Sequence, residues 1–517
     1  MKNRKMRSAV LAVLCCIVLT LAVFPIQIVK AAGSISPAAS YNLSIGLIKN
    51  SRLVVTDSGY MRVFYDKSKK KIGIEYYDSN FNIQKQQWLK MELNKWGGFY
   101  AGSDAYYIVE GQDNTKEKDS AEVIRVIKYD TDWKKMGTAK ITGNPNIYDG
   151  DVRFPFDYGS VEMTEYNGTL YIVTGHVGYI DSEIGQGHQG FLMIAVDEAS
   201  MKGKIAGCDS WHSLAQYINC RDSDLYVLEQ SEGSRCTKLS KYSTSDLEKY
   251  IIDDLEDTSI SVFKYGGTRT SSFAIPCRAT VDGMALSSEN VLCIGTSIDQ
   301  KKYNSSTKVY NIYLTVTPLS DFSEKSTTVK WLTNYSSNDD MDFSGTAITR
   351  INDSRFMVSW KESGISDTDI LHYFFIDGEG NQVREEFKKV ALVSDCQPVV
   401  KGSKIVYYAS DASRVIFYTI NAETGKFQKK AVAGKDTGNK IDISQAWIEG
   451  IKESYAYTGK AVKPTVTVNL RTKKLKKGTD YTVSYSNNKK AGTATIKIKG
   501  INLYSGTLKK TFRIVKK

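Results

Sequence analysis

Helical periodicity and long apolar runs are almost absent from this chain of 517 residues beyond its first 30 positions. Apolar residues alternate with polar ones in short runs rich in Tyr, Val, Ile, Leu and Phe, which is typical of half-buried strands. This pattern argues against a mainly helical fold, and no segment after the leader is apolar enough to cross a membrane. The sequence therefore predicts an all-β protein.

Cysteine is also scarce. Two of the eight cysteines, Cys15 and Cys16, lie in the leader, and the other six lack CxxC spacing. A zinc ribbon or a redox pair is therefore not indicated. The six cysteines permit disulfides in an exported chain, and many pairings are open. The alternative is that the cysteines are buried on strands as small apolar side chains, which suits Cys220 and Cys293.

Acidic residues are missing from one end of the chain and rare at the other. Residues 1–32 hold five basic residues and no acidic one, whereas residues 448–517 hold 17 basic and three acidic residues. Residues 33–447 consequently carry a net charge of −7, although the whole chain carries +12. The basic character belongs to the tail, so nucleic acid is not the expected partner.

The first 32 residues have the layout of a secretory signal peptide. Basic residues precede an uncharged apolar run over residues 8–24, and a small-residue triplet follows at residues 31–33. This layout predicts export, cleavage after Ala31 or Ala32, and a location outside the bacterial cell or on its surface, with no transmembrane segment in the mature chain. A retained anchor is the alternative, because the apolar stretch extended to Val29 nearly spans a bilayer.

One strand pattern recurs seven times in the large central region. Each copy has a weak strand, a tight polar turn, a strong strand, a variable loop, another strong strand and a turn rich in Asp, Gly, Ser and Thr. The copies begin at Leu53, Phe99, Val161, Ala215, Met284, Ala347 and Pro398. Such a repeat predicts a seven-bladed β-propeller over residues 33–440, because single units cannot bury both faces and must stack around an axis. A two-sheet sandwich is the alternative.

The repeat also predicts a ligand surface. If each first strand runs from one face to the other, the second-to-third loops and the connections between units emerge together on the starting face, here called the loop-rich face. The longest polar segments fall there. Imidazole and amide groups can hydrogen-bond a sugar, and aromatic rings stack on it. The candidate ligand-binding residues are His176, His188, Gln189, His212, Asp157, Trp211 and Trp96. Histidines that only join loops through hydrogen bonds are the alternative.

No local motif indicates a cofactor, a metal or a catalytic residue. HxH, HExxH, GxSxG and Asp-box patterns are all absent. For the acidic loop with Asp339, Asp340 and Asp342, simple solvation and calcium binding are both open. The carboxyl groups of a glycosidase can come from different blades, so local motifs do not exclude an enzyme.

Several segments resemble a group of poorly characterised, exported propeller proteins of Firmicutes that often carry immunoglobulin-like modules. The matching stretches cover most of residues 150–430. They read FDYGSVEMTEYNGTLYIVTGH from Phe156, GHQGFLMIAVDEASM from Gly187, WHSLAQYINCRDSDLYVLEQ from Trp211, NDSRFMVSWKE from Asn352 and DCQPVVKGSKIVYYASDASRVIFYTINAETG from Asp395. The resemblance implies a propeller fold and brings no established activity.

Residues 441–517 resemble a bacterial immunoglobulin-like repeat of clostridial surface proteins. The resemblance lies in YTGKAVKPTVTV from Tyr457, KKGTDYTVSYSNNKKAGTATIKIKG from Lys476 and INLYSGTLKKTFRI from Ile501. Alternation in the same segment predicts a small β-sandwich of five or six strands. Its lysine pairs, such as Lys509 with Lys510, could contact an anionic cell-wall polymer or simply keep the surface soluble.

These features favour an extracellular or cell-surface binding protein that recognises a glycan or a protein through the loop-rich face. The basic module is then a spacer or a tether to the wall. A secreted polysaccharide hydrolase or lyase that uses the same face is one alternative. A structural surface module is the other, and it requires that joint replacement of His188 and Asp157 by Ala changes no ligand interaction.

Overall fold

The computed structural model describes residues 48–516 except 148, 160, 184, 246, 248–258, 268–275, 304–308, 337–344, 364–368, 411–414, 434–440, 471–472 and 503. The predicted leader and the acidic loop at residues 339–342 lie outside the described residues. Strands dominate the described part, where the helical elements are single 3-10 turns at Gln300–Lys302 and Ile443–Gln445. No helix in that part is both long and apolar enough to span a membrane.

Seven antiparallel sheets, each built around four consecutive strands, succeed one another between Ser51 and Ala433. The first contains β1 (Ser51–Val55), β2 (Gly59–Asp66), β3 (Lys71–Asp78) and β4 (Ile83–Lys90). The second contains β5 (Lys95–Ala101), β6 (Tyr106–Gly111), β7 (Glu122–Tyr129) and β8 (Lys135–Thr142). The third contains β9 (Phe154–Pro155), β10 (Glu162–Tyr166), β11 (Thr169–Asp181), β12 (Gln186–Asp197) and β13 (Lys202–Cys208), with the short β9 paired to β11.

The remaining four sheets repeat this layout. The fourth contains β14 (Ser213–Arg221), β15 (Asp224–Ser231), β16 (Cys236–Ser243) and β17 (Ser259–Lys264). The fifth contains β18 (Gly283–Leu286), β19 (Asn290–Ser297), β20 (Asn311–Pro318) and β21 (Thr328–Trp331). The sixth contains β22 (Ala347–Asn352), β23 (Arg355–Ser363), β24 (Asp369–Asp377) and β25 (Phe387–Val390). The seventh contains β26 (Val399–Lys401), β27 (Lys404–Ser410), β28 (Val415–Asn421) and β29 (Phe427–Ala433).

The burial of each strand follows its place in the sheet. The middle strands are covered on both faces, so they read as continuous apolar runs: every residue of β19 is buried. Fourth strands such as β4 keep exposed positions and more polar residues. This difference explains why the second and third strands of each repeat give the strongest sequence signal.

The sheets form a closed ring, which is the layout of a β-propeller. The first strand of each sheet contacts the first strand of the next, and β26 contacts β1 to close the ring. Apolar side chains fill the space between neighbouring sheets; Met61 and Val63 of the first sheet, for example, pack in one cluster with Phe99 and Ile108 of the second. Stacked layers of a two-sheet sandwich would not give this cyclic order of contacts.

Ring closure uses polar contacts as well as packing. The ammonium group of Lys401 donates to the carbonyl of Thr56 at 2.6 Å. The guanidinium of Arg62 lies 4.5 Å from the ring centre of Tyr408 and pairs with Glu75 at 2.9 Å, with both charged side chains fully buried. The ion pair itself lies within the first sheet and fixes the guanidinium, because removal of one partner of a buried pair is strongly destabilising. The contacts of Arg62 with Tyr408 and of Lys401 with Thr56 join the first and last sheets.

The C-terminal strands form three smaller sheets. They are β30 (Ile441–Asp442), β31 (Trp447–Glu449), β32 (Ser454–Ala456), β33 (Thr467–Leu470), β34 (Lys473–Lys474), β35 (Tyr481–Ser486), β36 (Gly492–Gly500), β37 (Tyr504–Ser505) and β38 (Thr507–Val515). The main sheet has the order β32-β38-β36-β35, beside the sheets β31-β33-β34 and β30-β37. Val468, Ile496, Ile498 and Phe512 share an apolar core between them.

Candidate functional site

The loop-rich face of the third and fourth sheets is built by one long and one short connection. The first, residues 143–161, leads into β10, and its strand β9 pairs with His176 and Val177 of β11. The second, residues 209–212, leads into β14. The backbone N–H of Ala215 in β14 donates to the carbonyl of Tyr158 at 3.2 Å, so the first connection is joined directly to β14.

His176 is a buried structural residue of this face. It is only 2% exposed, and its Nε2–H donates to the carbonyl of Asp149 at 3.2 Å. Burial lowers the pKa of His176, so the ring is neutral at physiological pH. The side chain thus fastens the first connection to β11, and it offers no surface to a ligand.

Gln189 has the same kind of role between the two connections. Its side chain is 8% exposed, and its amide nitrogen donates to the carbonyls of Asp157, at 3.3 Å, and Ser213, at 2.5 Å. The carbonyl of Gln189 in turn accepts the N–H of His212 at 3.0 Å. One buried residue therefore sets the distance between Asp157 and His212.

Aspartates hold the second connection in place. Oδ1 of Asp209 accepts the N–H groups of Phe191 and Trp211, at 3.2 and 3.3 Å. The hydroxyl of Ser210 donates to Asp149 at 2.9 Å. The carboxylates of Asp209 and Asp149 therefore accept hydrogen bonds that hold the loops in place.

The exposed residues of the face are fewer than the sequence predicted. Trp211 is 56% exposed and Tyr158 is 53% exposed. His212 is exposed too. Asp157 is half-buried, and burial raises the pKa of its carboxyl group. These four side chains form the aromatic rim of the site.

His188 and Trp96 make other contacts. His188 is an exposed residue whose Nε2 is 3.9 Å from Oδ2 of Asp181, on the extended hairpin of β11 and β12. Trp96 is only 4% exposed; its indole N–H donates to the carbonyl of Lys49 at 3.0 Å, and its ring stacks on Tyr65. The expectation that Trp96 offers a stacking face does not fit this position, because neighbouring strands cover the ring.

Backbone strain is concentrated in the same connections. Positive φ values occur at the non-glycine residues Asn146, Asp149, Phe156, Tyr158, Val161, His212 and Ala215. Val161, at φ 37°, is β-branched and therefore costly in this region. Strain of this kind persists only where surrounding contacts over-determine it, and it is common at functional sites.

A polar group whose members sequence reasoning did not bring together lies at the mouth of the central channel. Nζ of Lys49 pairs with Glu162 at 2.6 Å, and Arg52 pairs with the same carboxylate at 2.8 Å. Arg52 also donates to Gln397 at 2.6 Å, and Oδ2 of Asp395 accepts the N–H of Asn50 at 2.8 Å. Lys49, Arg52, Glu162, Asp395 and Gln397 are called the channel-mouth cluster below.

The cluster stands at the loop-rich end of the first strands. Glu162 opens β10, and Lys49 and Gln397 lie two residues before β1 and β26. A cavity of about 350 Å³ lies between the first strands of the seventh, first, second and third sheets, with Arg52, Glu162 and Gln397 in its wall. The cluster and the aromatic rim therefore share one end of the ring, since Glu162 follows the connection that carries Tyr158.

The carboxyl groups of the cluster differ in the direction of their pKa shifts. Burial alone would raise the pKa of Glu162, but the cations of Arg52 and Lys49 hold it below its usual range. Burial raises the pKa of Asp395 to about 6. Asp282, which precedes β18 and accepts the hydroxyl of Thr280 at 2.6 Å, has its pKa raised by burial to about 7. The pKa of Glu162 is thus lowered, whereas the pKa values of Asp395 and Asp282 are raised.

The fourth histidine lies elsewhere. His372 of β24 is fully buried between Glu362, at 2.8 Å from Nε2, and Glu386, at 2.5 Å from Nδ1. Its ring stacks on Trp360. This arrangement explains His372 as a hydrogen-bonded core residue of the sixth sheet.

A larger groove of about 1190 Å³ lies between the outer strands β17 and β21, away from the channel mouth. Phe263 stacks there on Tyr313, and Trp331 is 44% exposed.

The described residues show no metal site and no disulfide. Within them, no group of three or more His, Cys, Asp or Glu side chains is placed to hold a metal ion. The six cysteines Cys208, Cys220, Cys236, Cys277, Cys293 and Cys396 are free thiols. Burial raises the pKa of Cys293 to about 12, so this thiol is unreactive at neutral pH.

Comparisons with known proteins give a likeness of shape only. No family model matches the chain, and no curated protein matches it. Similar solved structures include one from a study of two prolyl endopeptidases, at 9% identity and TM-score 0.43 over 93% of this chain and 64% of that chain. An oligogalacturonate lyase in complex with manganese matches at 9% identity and TM-score 0.38, over 76% of this chain and 97% of that chain.

TolB from Acinetobacter baumannii matches at 11% identity and TM-score 0.32, over 74% of this chain and 79% of that chain. The chain spans less than two thirds of the length of the prolyl endopeptidase structure. At such identities and TM-scores these likenesses carry no argument about function.

Proposed function

We propose that this chain is a secreted or cell-surface binding protein that recognises a glycan or a protein through the loop-rich face of a seven-bladed β-propeller. The basic C-terminal segment is an immunoglobulin-like module that acts as a spacer or as a tether to the cell wall. Seven sheets in a closed ring, one for each sequence repeat, support the propeller.

The observation that carries the proposal is an exposed indole on a fixed loop. Trp211 keeps 56% of its surface exposed, although its N–H is bonded to Asp209 and its carbonyl accepts the N–H of Gly233 at 3.0 Å. A large aromatic ring held in one position in water loses little entropy when a ligand covers it. Such aromatic anchors, with polar groups beside them, are typical of binding sites.

The aromatic rim suits a sugar ring in particular. Trp211 and Tyr158 offer flat apolar faces, and His212 and Asp157 stand next to them as hydrogen-bonding groups. The channel-mouth cluster adds cations and carboxyl groups toward the axis of the ring. A polar ligand with apolar faces therefore finds both kinds of contact at one end of the ring.

A glycan array followed by titration of any ligand it reveals tests the proposal. Trp211→Ala should raise the dissociation constant at least about tenfold, which is the effect expected for loss of an aromatic anchor. Trp331→Ala is the matched control, because Trp331 is also exposed but lies on the outer strand β21. Equal binding by the wild type and Trp211→Ala would contradict the role of the rim.

A polysaccharide hydrolase or lyase is the second candidate, and the channel-mouth carboxyl groups favour it. The pKa of Glu162 is lowered, whereas those of Asp395 and Asp282 are raised to about 6 and about 7, and carboxyl groups whose pKa values differ in this way suit the acid and base roles of glycoside chemistry. Product analysis decides between the candidates. New reducing or unsaturated ends that disappear in Asp282→Asn indicate an enzyme, whereas binding without turnover indicates a binding protein.

A further inference from the structure

The outward surface of the main C-terminal sheet has an unusual composition. Strand pairing places its side chains in rows across β35, β36 and β38, with β32 at the edge. The rows are Ser486–Thr495–Thr511, Ser484–Lys497–Lys509, Thr482–Lys499–Thr507 and Thr493–Arg513–Ser454. This set of side chains is called the cationic face below, and it consists of hydroxyl groups and four cations.

The burial pattern confirms which way these side chains point. Along β36, Ala494, Ile496 and Ile498 are buried, while Lys497 and Lys499 between and beyond them are exposed. On β38, Lys509 and Arg513 are exposed, whereas Phe512 is buried. The alternation of a strand therefore puts the apolar side chains into the module core and the cations on its outer surface.

The cations of this face are not neutralised within the described part of the chain. Lys497 lies directly opposite Lys509 in the register of β36 and β38. Like charges in directly opposed positions destabilise a sheet, so this pair works against folding stability. No ion pair joins Lys497, Lys499, Lys509 or Arg513 to a carboxylate among the described residues, although 22 ion pairs within 4.0 Å occur elsewhere in them.

The cationic face also contains a depression. A shallow depression of about 630 Å³ is lined by Ser486, Thr495, Lys497, Lys509, Lys510 and Thr511. Hydroxyl groups of Ser and Thr donate hydrogen bonds to anionic oxygens, and Lys ammonium groups bind them as mobile point charges. The depression thus joins the opposed lysine pair to a row of hydroxyl groups.

We propose that the cationic face binds a linear polyanionic polymer, in which phosphate or carboxylate groups repeat along a hydroxyl-rich chain. The inference rests on the tether role proposed above for the C-terminal module and names the surface that performs it. Repeated anions suit this face because its cations extend over several rows, along and across the strands, instead of converging on one point. Flexible lysines on a flat sheet favour a repeating charge over a single, stereospecific anion.

The test measures binding of the full-length exported protein to two immobilised polymers, a polyol phosphate and a polyuronate, which separate the two sources of charge. Binding to at least one of them is expected, with a loss of about tenfold or more when the salt concentration is raised from 0.05 to 0.5 M. Lys497→Ser with Lys509→Ser should weaken binding about 30-fold, since each Lys near an anionic surface contributes on the order of a factor of five.

Matched variants distinguish the effect of losing cations from this face from the effect of lowering the net charge. Lys460→Ser with Lys463→Ser removes two exposed lysines that lie outside the main sheet, and it should change binding by no more than about twofold. Lys497→Arg with Lys509→Arg should retain binding because both charges remain. Circular dichroism of each variant checks that the module still folds.

Three outcomes overturn the inference: no binding to either polymer, an equal loss in the control pair, or tighter binding to double-stranded DNA than to both polymers. The glycan ligand of the loop-rich face is assayed separately with Trp211→Ala. Failure of the polymer test with an intact Trp211 effect refutes only the cationic face, whereas the reverse result refutes only the proposed ligand surface.

Discussion

The carboxylate of Glu162 is expected to stabilise the folded protein by pairing with two cations of the channel-mouth cluster, and Glu162→Gln tests this directly. Its carboxylate is the shared partner of Lys49 and Arg52, and the three side chains are 12–15% exposed. The glutamine has the same shape but no charge, so two nearly buried cations lose their common anion. Breaking a buried ion pair costs about 3–5 kcal/mol, and the residual exposure here places the expected loss of unfolding free energy near 3 kcal/mol.

Urea unfolding at pH 7, followed by tryptophan fluorescence, measures this loss. Asp224→Asn is the control, because its ion pair with Lys241 is about one third exposed and is expected to contribute less than about 1 kcal/mol. The double change Lys49→Met with Glu162→Gln should recover part of the loss, since one of the unpaired cations is then gone. The comparison requires an unchanged denaturant slope in each variant.

The reasoning fails if Glu162→Gln unfolds within about 1 kcal/mol of the wild type. It also fails if the double variant loses the sum of the two single effects, because the side chains would then not interact. Either result would mean that water reaches the channel mouth and screens its charges. The cluster would then have no special electrostatic character for a ligand or a substrate to use.

Three further outcomes are expected. Burial raises the pKa of Asp395 to about 6, so its carboxyl group binds a proton more readily in the folded protein than in the unfolded chain. The protonated group therefore adds about 3 kcal/mol to the free energy of unfolding below pH 4, and this contribution is lost as the pH rises through 6. Urea unfolding from pH 4 to 8 should show this pH dependence in the wild type but not in Asp395→Asn. Gly190→Ala places a Cβ 1.7 Å from the carbonyl oxygen of Asp209, so ligand titration should show at least the loss seen for Trp211→Ala, and unchanged binding would contradict the packing of this connection. Thiol titration of the denatured protein should find all six cysteines from Cys208 to Cys396 reactive, and reductant should not change the unfolding midpoint; fewer reactive thiols among these six would reveal a disulfide.

The architecture of the ring could be predicted from the sequence because its signal is local and repeated. Each predicted repeat start, from Leu53 to Pro398, lies within or one residue before the first strand of a sheet. The reason is physical: middle strands that are covered on both faces must be apolar along their whole length, and tight turns must be polar. Such requirements leave the same pattern in every copy.

The candidate site could be predicted only in part. The connections that carry Asp157, Trp211 and His212 were recognisable as polar segments, and they meet in the structure through Gln189. The charged group at the channel mouth was not recognisable, because Lys49 and Glu162 are separated by 113 positions. A charged residue at the start of a first strand that faces the axis is the signal that could have found Glu162.

Exposure was the property that sequence reasoning judged least well. Trp96 and Trp211 are the same residue type at the same end of their units, yet one is 4% and the other 56% exposed. His176 and His212 differ in the same way. What the sequence determined by itself was the order of strands and turns, since hydrogen bonding and alternation act between near neighbours. What only the tertiary structure decided was which polar and aromatic side chains face a neighbouring sheet, the channel or water, because that depends on residues distant in the sequence, such as Lys49 for Trp96 and Asp149 for His176.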